Sequence, residues 1–222
     1  GGVCSIRPYD SAKDGVGIPV SEEKVVTTCP SRFLEAVNGH KSIFSWISKT
    51  MLEIEDPIVI KETPFLRNIS VEMAAGAGEL EDEADKEEAT KAGRIDWILV
   101  NPKSLASSEI DWCAVETQAL YFSGDKMSLE FDTYRKVKPN LTYPVGRRRP
   151  DYRSSGPKRL SPQLDVKVPV LRTWGKKVVV VIDSFFFEQM ATLDDAFPRA
   201  KNDNERRDNA DVIWFVVDYD AK

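Results

Sequence analysis

Asp96, Glu116 and Gln118 are the residues of this chain whose types and spacing suit hydrolytic chemistry. Asp96 stands between Ile95 and Trp97 in an apolar run, and Glu116 and Gln118 sit two apart in a second run framed by Val115 and Leu120. Side chains at i and i+2 of a strand share a face, so Glu116 and Gln118 project together. An acid inside an apolar strand is costly unless it is paired or binds a cation. Two carboxylates at the edge of one strand pair make a hard-oxygen site suited to Mg2+, which is commonly held by one or two carboxylates plus substrate phosphate oxygens. A cation there polarises a phosphodiester and lowers the pKa of its bound water. The Gln118 amide can orient that water without changing the charge of the site. The same spacing also suits a solvated strand face carrying Asp96 and Glu116, and residue pattern alone leaves both readings open.

For the three side chains to meet, residues 92–100 (AGRIDWILV) and 111–120 (DWCAVETQAL) must pair as strands across the polar connection 101–111. A helix is predicted over 41–55, where Ile43, Ile47, Met51 and Ile54 recur at helical spacing and Phe44 and Trp46 widen the stripe. Residues 57–62 read as a short strand stopped by Pro64, with Glu62 at a solvated strand end. Ser161-Pro162 reads as a cap followed by proline at the first helical position. Leu164, Val168, Leu171 and Trp174 continue at helical spacing to Gly175, and Pro169 predicts a kink or two short helices. Residues 178–187 are almost unbroken apolar sequence, the pattern of a strand buried on both faces, with Asp183 in a structural role at its end. Residues 212–219 predict a further strand closing the sheet. The expected fold class is α/β, a mixed central β-sheet flanked by helices.

The 222 residues, 41% hydrophobic and 30% charged, describe a globular protein of one sizeable domain or one domain with an attached module. No apolar run is long enough to cross a bilayer and no signal segment opens the chain, so a cytoplasmic location is expected. The chain starts Gly-Gly without Met, which carries the expectation that upstream sequence is missing. His40 is the sole histidine, so nucleophile–histidine chemistry has little to build on, and no GxGxxG, P-loop or GxSxG occurs. The net charge of -5 argues against a nucleic-acid partner, but its distribution argues for one. Residues 79–88 hold seven acids against one lysine; residues 135–177 hold thirteen Lys/Arg against Asp151 and Asp165, a local +11. Such asymmetry marks a polyanion-binding face. Within it Arg147, Arg148, Arg149, Arg153, Lys158 and Arg159 are the candidate DNA contacts, with the rival reading of a solvated basic loop. Tyr143 and Tyr152 lie among these charges, where they could stack on the bases of RNA or single strands. The acidic run, within residues 74–91, reads as an exposed helix or a loop with no assignable chemistry.

Cys4 and Cys29 each end a short β-prone run, which suits either half of a four-thiolate metal knuckle or two buried free thiols.

Taken together, these residues resemble a family. Asp96 on one strand and Glu116-x-Gln118 on the next, followed by a helix and further strands, resemble the PD-(D/E)xK nuclease core, with Gln118 in place of the usual lysine. The Gly2-Val3-Cys4 segment, the Cys29-Pro30-x-Arg32 turn, the Asp96 and Glu116 strands and the terminal Trp214-Phe215-Val216 strand follow the order of NotI-type restriction endonucleases. The resemblance implies a Mg2+-dependent endonuclease cutting double-stranded DNA at a palindromic site as a homodimer. Asp96 and Glu116 would hold the cation. It also implies an N-terminal knuckle around one iron or zinc, with Cys4 and Cys29 matching the last two of four ligands and Cys113 left as a core thiol. The implied division is 1–38 as knuckle segment, incomplete at its start, and 39–222 as catalytic domain. With glutamine at 118 the expectation is a site without an ammonium group, in which the cation supplies more of the charge stabilisation. The alternative is a DNA-binding or scaffold protein on the same fold without turnover.

Overall fold

Six consecutive residues, Val178–Asp183, are buried throughout and form an interior strand of the main sheet. A computed structural model describes residues 4–6, 9–11, 17–19, 25–35, 39–65, 93–123, 149–190 and 197–219, with 9–11, 17–19, 122–123 and 149–150 as backbone alone. In chain order its strands are β1 (Ser5–Ile6), β2 (Tyr9–Ser11), β3 (Gly17–Pro19), β4 (Val26–Thr27), β5 (Ile58–Pro64), β6 (Arg94–Val100), β7 (Trp112–Thr117), β8 (Phe122–Ser123), β9 (Arg149–Pro150), β10 (Val178–Asp183) and β11 (Val212–Val217). The helices are α1 (Ile43–Met51), α2 (Tyr152–Ser155), α3 (Ser161–Thr173), α4 (Ser184–Glu188) and α5 (Asp203–Asn209).

The main sheet runs β11-β10-β7-β6-β5. β5, β6 and β7 form an antiparallel meander, whereas β7, β10 and β11 are mutually parallel neighbours. Hence one helix, three meandering strands, a crossover containing α3 and two parallel strands follow in that order. Period-two alternation splits β10 between two layers. Val179 and Val181 pack with Ile43, Ile47, Phe33 and Val115 on one face; Val178, Val180 and Ile182 pack with Leu160, Leu171 and Phe186 on the other. The expected mixed α/β sheet between helices is what forms. α1 is closed by a reciprocal Ser42–Ser45 capping box and buries Ile43 and Ile47, four apart.

Three local expectations are corrected. The helix does not begin at Ser161. It begins at Tyr152, where the Asp151 carboxylate accepts from the Ser154 amide at 2.9 Å, and runs through a π turn, Gly156–Leu160, into α3. Pro162 has no amide to give back to the preceding turn, and the helix widens just before it. Pro169 does not divide α3, because it sits on the exposed side, where its missing amide strands no buried group. The apolar run 178–187 is not one strand. Asp183 ends it by accepting from the Phe186 amide at 2.6 Å, which starts α4.

Residues 25–35 share the core of the sheet. Thr27 donates its amide to Asp183 Oδ2 at 2.6 Å and accepts from the Leu120 amide at 2.8 Å, and Val26 and Phe33 are fully buried. Among the described residues no helix is long and apolar enough to cross a membrane.

Candidate active site

The hairpin predicted from the sequence forms. Its register runs from Val100 opposite Trp112 to Trp97 opposite Val115, and Asp96 and Glu116 are the next residues along the two strands, near enough for the Asp96 charge to act on the Glu116 carboxyl. The connection between the strands is held by a 3-10 turn (Pro102–Ala106) capped by Asn101, whose amide closes the loop onto the Asp111 carbonyl at 2.9 Å. On the other side of β6 the ladder to β5 skips the Glu62–Asp96 position, and Glu62 takes φ 51. A left-handed non-glycine conformation there costs about 1 kcal/mol and is characteristic of functional sites. Glu62 is exposed and lies 3.4 Å from Arg94, outside the pair.

Each acid is held differently. Asp96 is half-buried, and its Oδ2 accepts from both the amide (2.9 Å) and the hydroxyl (3.0 Å) of Thr117. Glu116 is 2% exposed. Its Oε1 accepts from Lys167 Nζ at 2.7 Å, and its Oε2, also buried, has no hydrogen-bond partner. Burial raises the Glu116 pKa from its ordinary 4.5 to about 7; the Lys167 charge and hydrogen bond and the Asp96 amide pull it down, and the Asp96 charge pushes it up. Desolvation wins over the ion pair.

Lys167 is the residue that sequence reading missed as part of this site. It stands on α3 with its side chain 3% exposed, and its ammonium also donates to the Arg94 carbonyl at 2.6 Å and to Gln163 Oε1 at 3.4 Å. The expectation of a site without an ammonium is therefore corrected. One is present, carried by a helix rather than by β7. The signal was in the sequence: Lys167 falls inside the apolar stripe of Leu164, Val168 and Leu171, where a lysine must find an acid. Gln118 lies just past the end of β7, with its backbone amide on the Val181 carbonyl at 3.0 Å and Nε2 donating to the Ala119 carbonyl at 2.6 Å. Its amide oxygen is an acceptor suited to a water.

Asp96 opens onto a cleft of about 680 Å³ whose lining also includes Lys158, Arg159, Gln163 and Lys167, and Glu116 lies buried behind it, in contact with Lys167. Lys158 and Arg159 come from the π turn, a feature frequent at functional sites. Arg159 stacks over the Tyr121 ring at 4.3 Å. Arg153 faces elsewhere, lining an apolar cavity of about 440 Å³ with Phe186, Leu164 and Trp214. Arg149 lies in β9, described as backbone alone; Arg147, Arg148, Tyr143 and the acidic run 79–88 lie outside the described residues. Tyr152 is packed against Phe185 and Phe186, at centroid distances of 6.0 and 6.4 Å. The basic stretch is not uniformly a surface. Lys167 is buried and Lys177 donates to the Asp208 and Ala210 carbonyls (2.8 and 2.7 Å), whereas Arg172 is exposed beside Asp211.

The residues fit a small hard cation. Glu116 has a buried carboxylate oxygen without a partner, the Asp96 charge acts on that carboxyl, and one or two carboxylates are the usual protein share of a Mg2+ site. Among the described residues no cluster of three or more His, Cys, Asp or Glu suited to a metal occurs. Cys4 and Cys29 lie on adjoining segments, with the Thr28 amide on the Cys4 carbonyl at 3.0 Å; Cys4 is exposed and Cys29 half-buried. Cys113 is a core thiol as expected, with its pKa pushed up to about 12 by burial and the nearby Asp111.

The sequence profile of the family described as restriction endonuclease NotI matches residues 1–222, the whole chain. Among curated proteins and solved structures nothing matches it.

Proposed function

The chain belongs to the NotI restriction endonuclease family, and from that premise we propose that it hydrolyses double-stranded DNA with Mg2+ held between Asp96 and Glu116. The observation that carries this reading is the buried, unpartnered Glu116 Oε2 on the strand beside Asp96, which itself lines a cleft with Lys158 and Arg159. The order of elements, one helix, a three-stranded meander bearing the acids, a crossover helix and a parallel strand, supports a PD-(D/E)xK core.

Bound Mg2+ would supply a Lewis acid and a water of lowered pKa. The chain's own residues do the rest. Thr117 fixes the Asp96 carboxylate with two hydrogen bonds, so that it meets an incoming phosphate already oriented. Glu116, buried and paired through one oxygen with Lys167, would offer the cation the oxygen that no protein donor occupies. Gln118 offers its carbonyl oxygen to a water, and Lys158 and Arg159 draw the phosphate backbone onto the cleft. The other parts of the proposal are an Fe or Zn knuckle in which Cys4 and Cys29 take part, a homodimer on a palindromic site, and action in the cytoplasm. In this reading residues 1–38 carry the knuckle and 39–222 the catalytic unit.

A second reading, a DNA-binding protein without turnover, is favoured by one observation: Gln118 donates to the Ala119 carbonyl where the PD-(D/E)xK pattern has an ammonium. Plasmid DNA incubated with the protein and Mg2+ separates the two. Wild-type protein should linearise it at discrete sites, and Glu116→Ala should bind it without cutting. Intact plasmid with wild-type protein, or cleavage at undiminished rate by the variant, would reject the hydrolytic assignment of the pair.

A further inference from the structure

We propose that Lys167 is a positioning residue for catalysis: its ammonium pins Oε1 of Glu116 so that Oε2 remains presented to the cation site, doing from α3 what the family pattern assigns to a lysine at position 118. The inference rests on the endonuclease reading of the Asp96–Glu116 pair.

The geometry supports a task beyond neutralising a buried acid. Nζ is held by three acceptors, the Arg94 carbonyl at 2.6 Å, Glu116 Oε1 at 2.7 Å and Gln163 Oε1 at 3.4 Å. An ammonium has three protons, so each is committed and the group cannot swing away. Arg94 is two residues from Asp96, so one cation ties the strands of both acids to α3. Of the two Glu116 oxygens, one takes this bond and the other is buried without a hydrogen-bond partner. An unpartnered buried oxygen is a standing cost in a protein that does nothing with it. Here the arrangement selects which oxygen stays available. Position 118, just past the end of β7 and two residues beyond Glu116, is where the PD-(D/E)xK pattern places its lysine. In this chain it holds an uncharged amide that donates to the Ala119 carbonyl.

A purely structural Lys167 would act by tethering α3 to the sheet, and only a residue on α3 can do that. A positioning Lys167 acts at Glu116, and an ammonium brought from β7 can replace it. The test therefore compares wild type, Lys167→Met, and Lys167→Met combined with Gln118→Lys, each checked for folding by thermal melt. For Lys167→Met the expected result is kcat down about 100-fold, with KM for DNA within about 3-fold because the contacts to DNA are elsewhere. The double variant should recover at least about 10-fold of kcat while its melting temperature stays at that of the single variant. In metal-free protein carrying 13Cδ-labelled glutamate, the Glu116 resonance should move in the single variant and return in the double. Should Lys167→Met fail to fold, Lys167→Gln, a shorter uncharged donor, carries the same comparison.

A folded single variant that cuts at the wild-type rate overturns the proposal. So does a double variant that regains stability without rate, or a Glu116 resonance that fails to return. Glu116→Ala run in parallel separates the layers. If it still cuts, the endonuclease reading of the pair fails; if it is inactive while Lys167→Met cuts normally, only the role of Lys167 fails.

Discussion

Thr117 grips Asp96 twice, through its backbone amide at 2.9 Å and its hydroxyl at 3.0 Å, both on the same carboxylate oxygen. The amide bond is available to any residue at that position, so the hydroxyl is what the side chain adds. Thr117→Val keeps the shape and the amide bond and removes one donor. The expected cost is about 1 kcal/mol of stability. Cleavage should slow about 10-fold as Asp96 loses part of its orientation. Urea denaturation together with single-turnover cleavage checks both, and an unchanged rate would show that the amide alone suffices.

The raised pKa of Glu116 makes stability depend on pH in a definite direction. Its folded value of about 7 lies above the ordinary 4.5, so between these values the folded chain holds a proton that the unfolded chain has released. Stability from this group is therefore complete below about pH 4.5 and is lost as pH rises through about 7. Asp183, also pushed up by burial, slopes the same way. Metal-free protein should melt at progressively lower temperature from pH 5 to 8, and Glu116→Gln should flatten that decline. A cation that binds the ionised form, such as Ca2+, should restore part of the loss at pH 8. A wild-type curve that rises over this range would contradict the burial argument.

Lys158 and Arg159 predict a salt signature. Each phosphate contact releases condensed counterions, so replacing one such residue by alanine should reduce the slope of log K against log salt by about 0.9. Lys158→Ala should do this uniformly across DNA sequences. Arg159→Ala additionally loses the stack on Tyr121 and should weaken binding further. Binding titrations in Ca2+ at several salt concentrations measure both, and an unchanged slope moves the DNA face away from the π turn.

Asp183 joins two parts of the fold, taking the Thr27 amide on one oxygen and the Phe186 amide on the other. It is 1% exposed, so Asp183→Ala leaves buried amides without acceptors. The expected destabilisation is about 2–4 kcal/mol. Denaturant titration gives the value; a loss under about 1 kcal/mol would mean that water replaces the carboxylate.

Parts of this architecture can be read from local sequence because they depend on local periodicity. Val178 to Ile182 have no polar alternation, which only a strand covered on both faces tolerates, and Ile43 and Ile47 four apart mark one helix face. The pairing of Asp96 with Glu116 was accessible for a similar reason: both lie in short apolar runs joined by one loop, so register follows from the hairpin. Where local rules failed, a distant group had intervened. Ser161-Pro162 looks like a helix start because nothing nearby reveals that Asp151 has begun the helix ten residues earlier.

The sequence by itself determined the strands that carry the acids, the acids' common face and the family to which their order points, since side-chain alternation and residue order are properties of the chain. Tertiary structure alone decided what surrounds them. Lys167, 51 residues beyond Glu116, reaches it only because α3 packs across β7, and Lys177 gives its ammonium to backbone carbonyls of the same fold. The physical reason is range: periodicity is set by neighbouring residues, whereas the partner of a buried charge is set by which elements the sheet brings together.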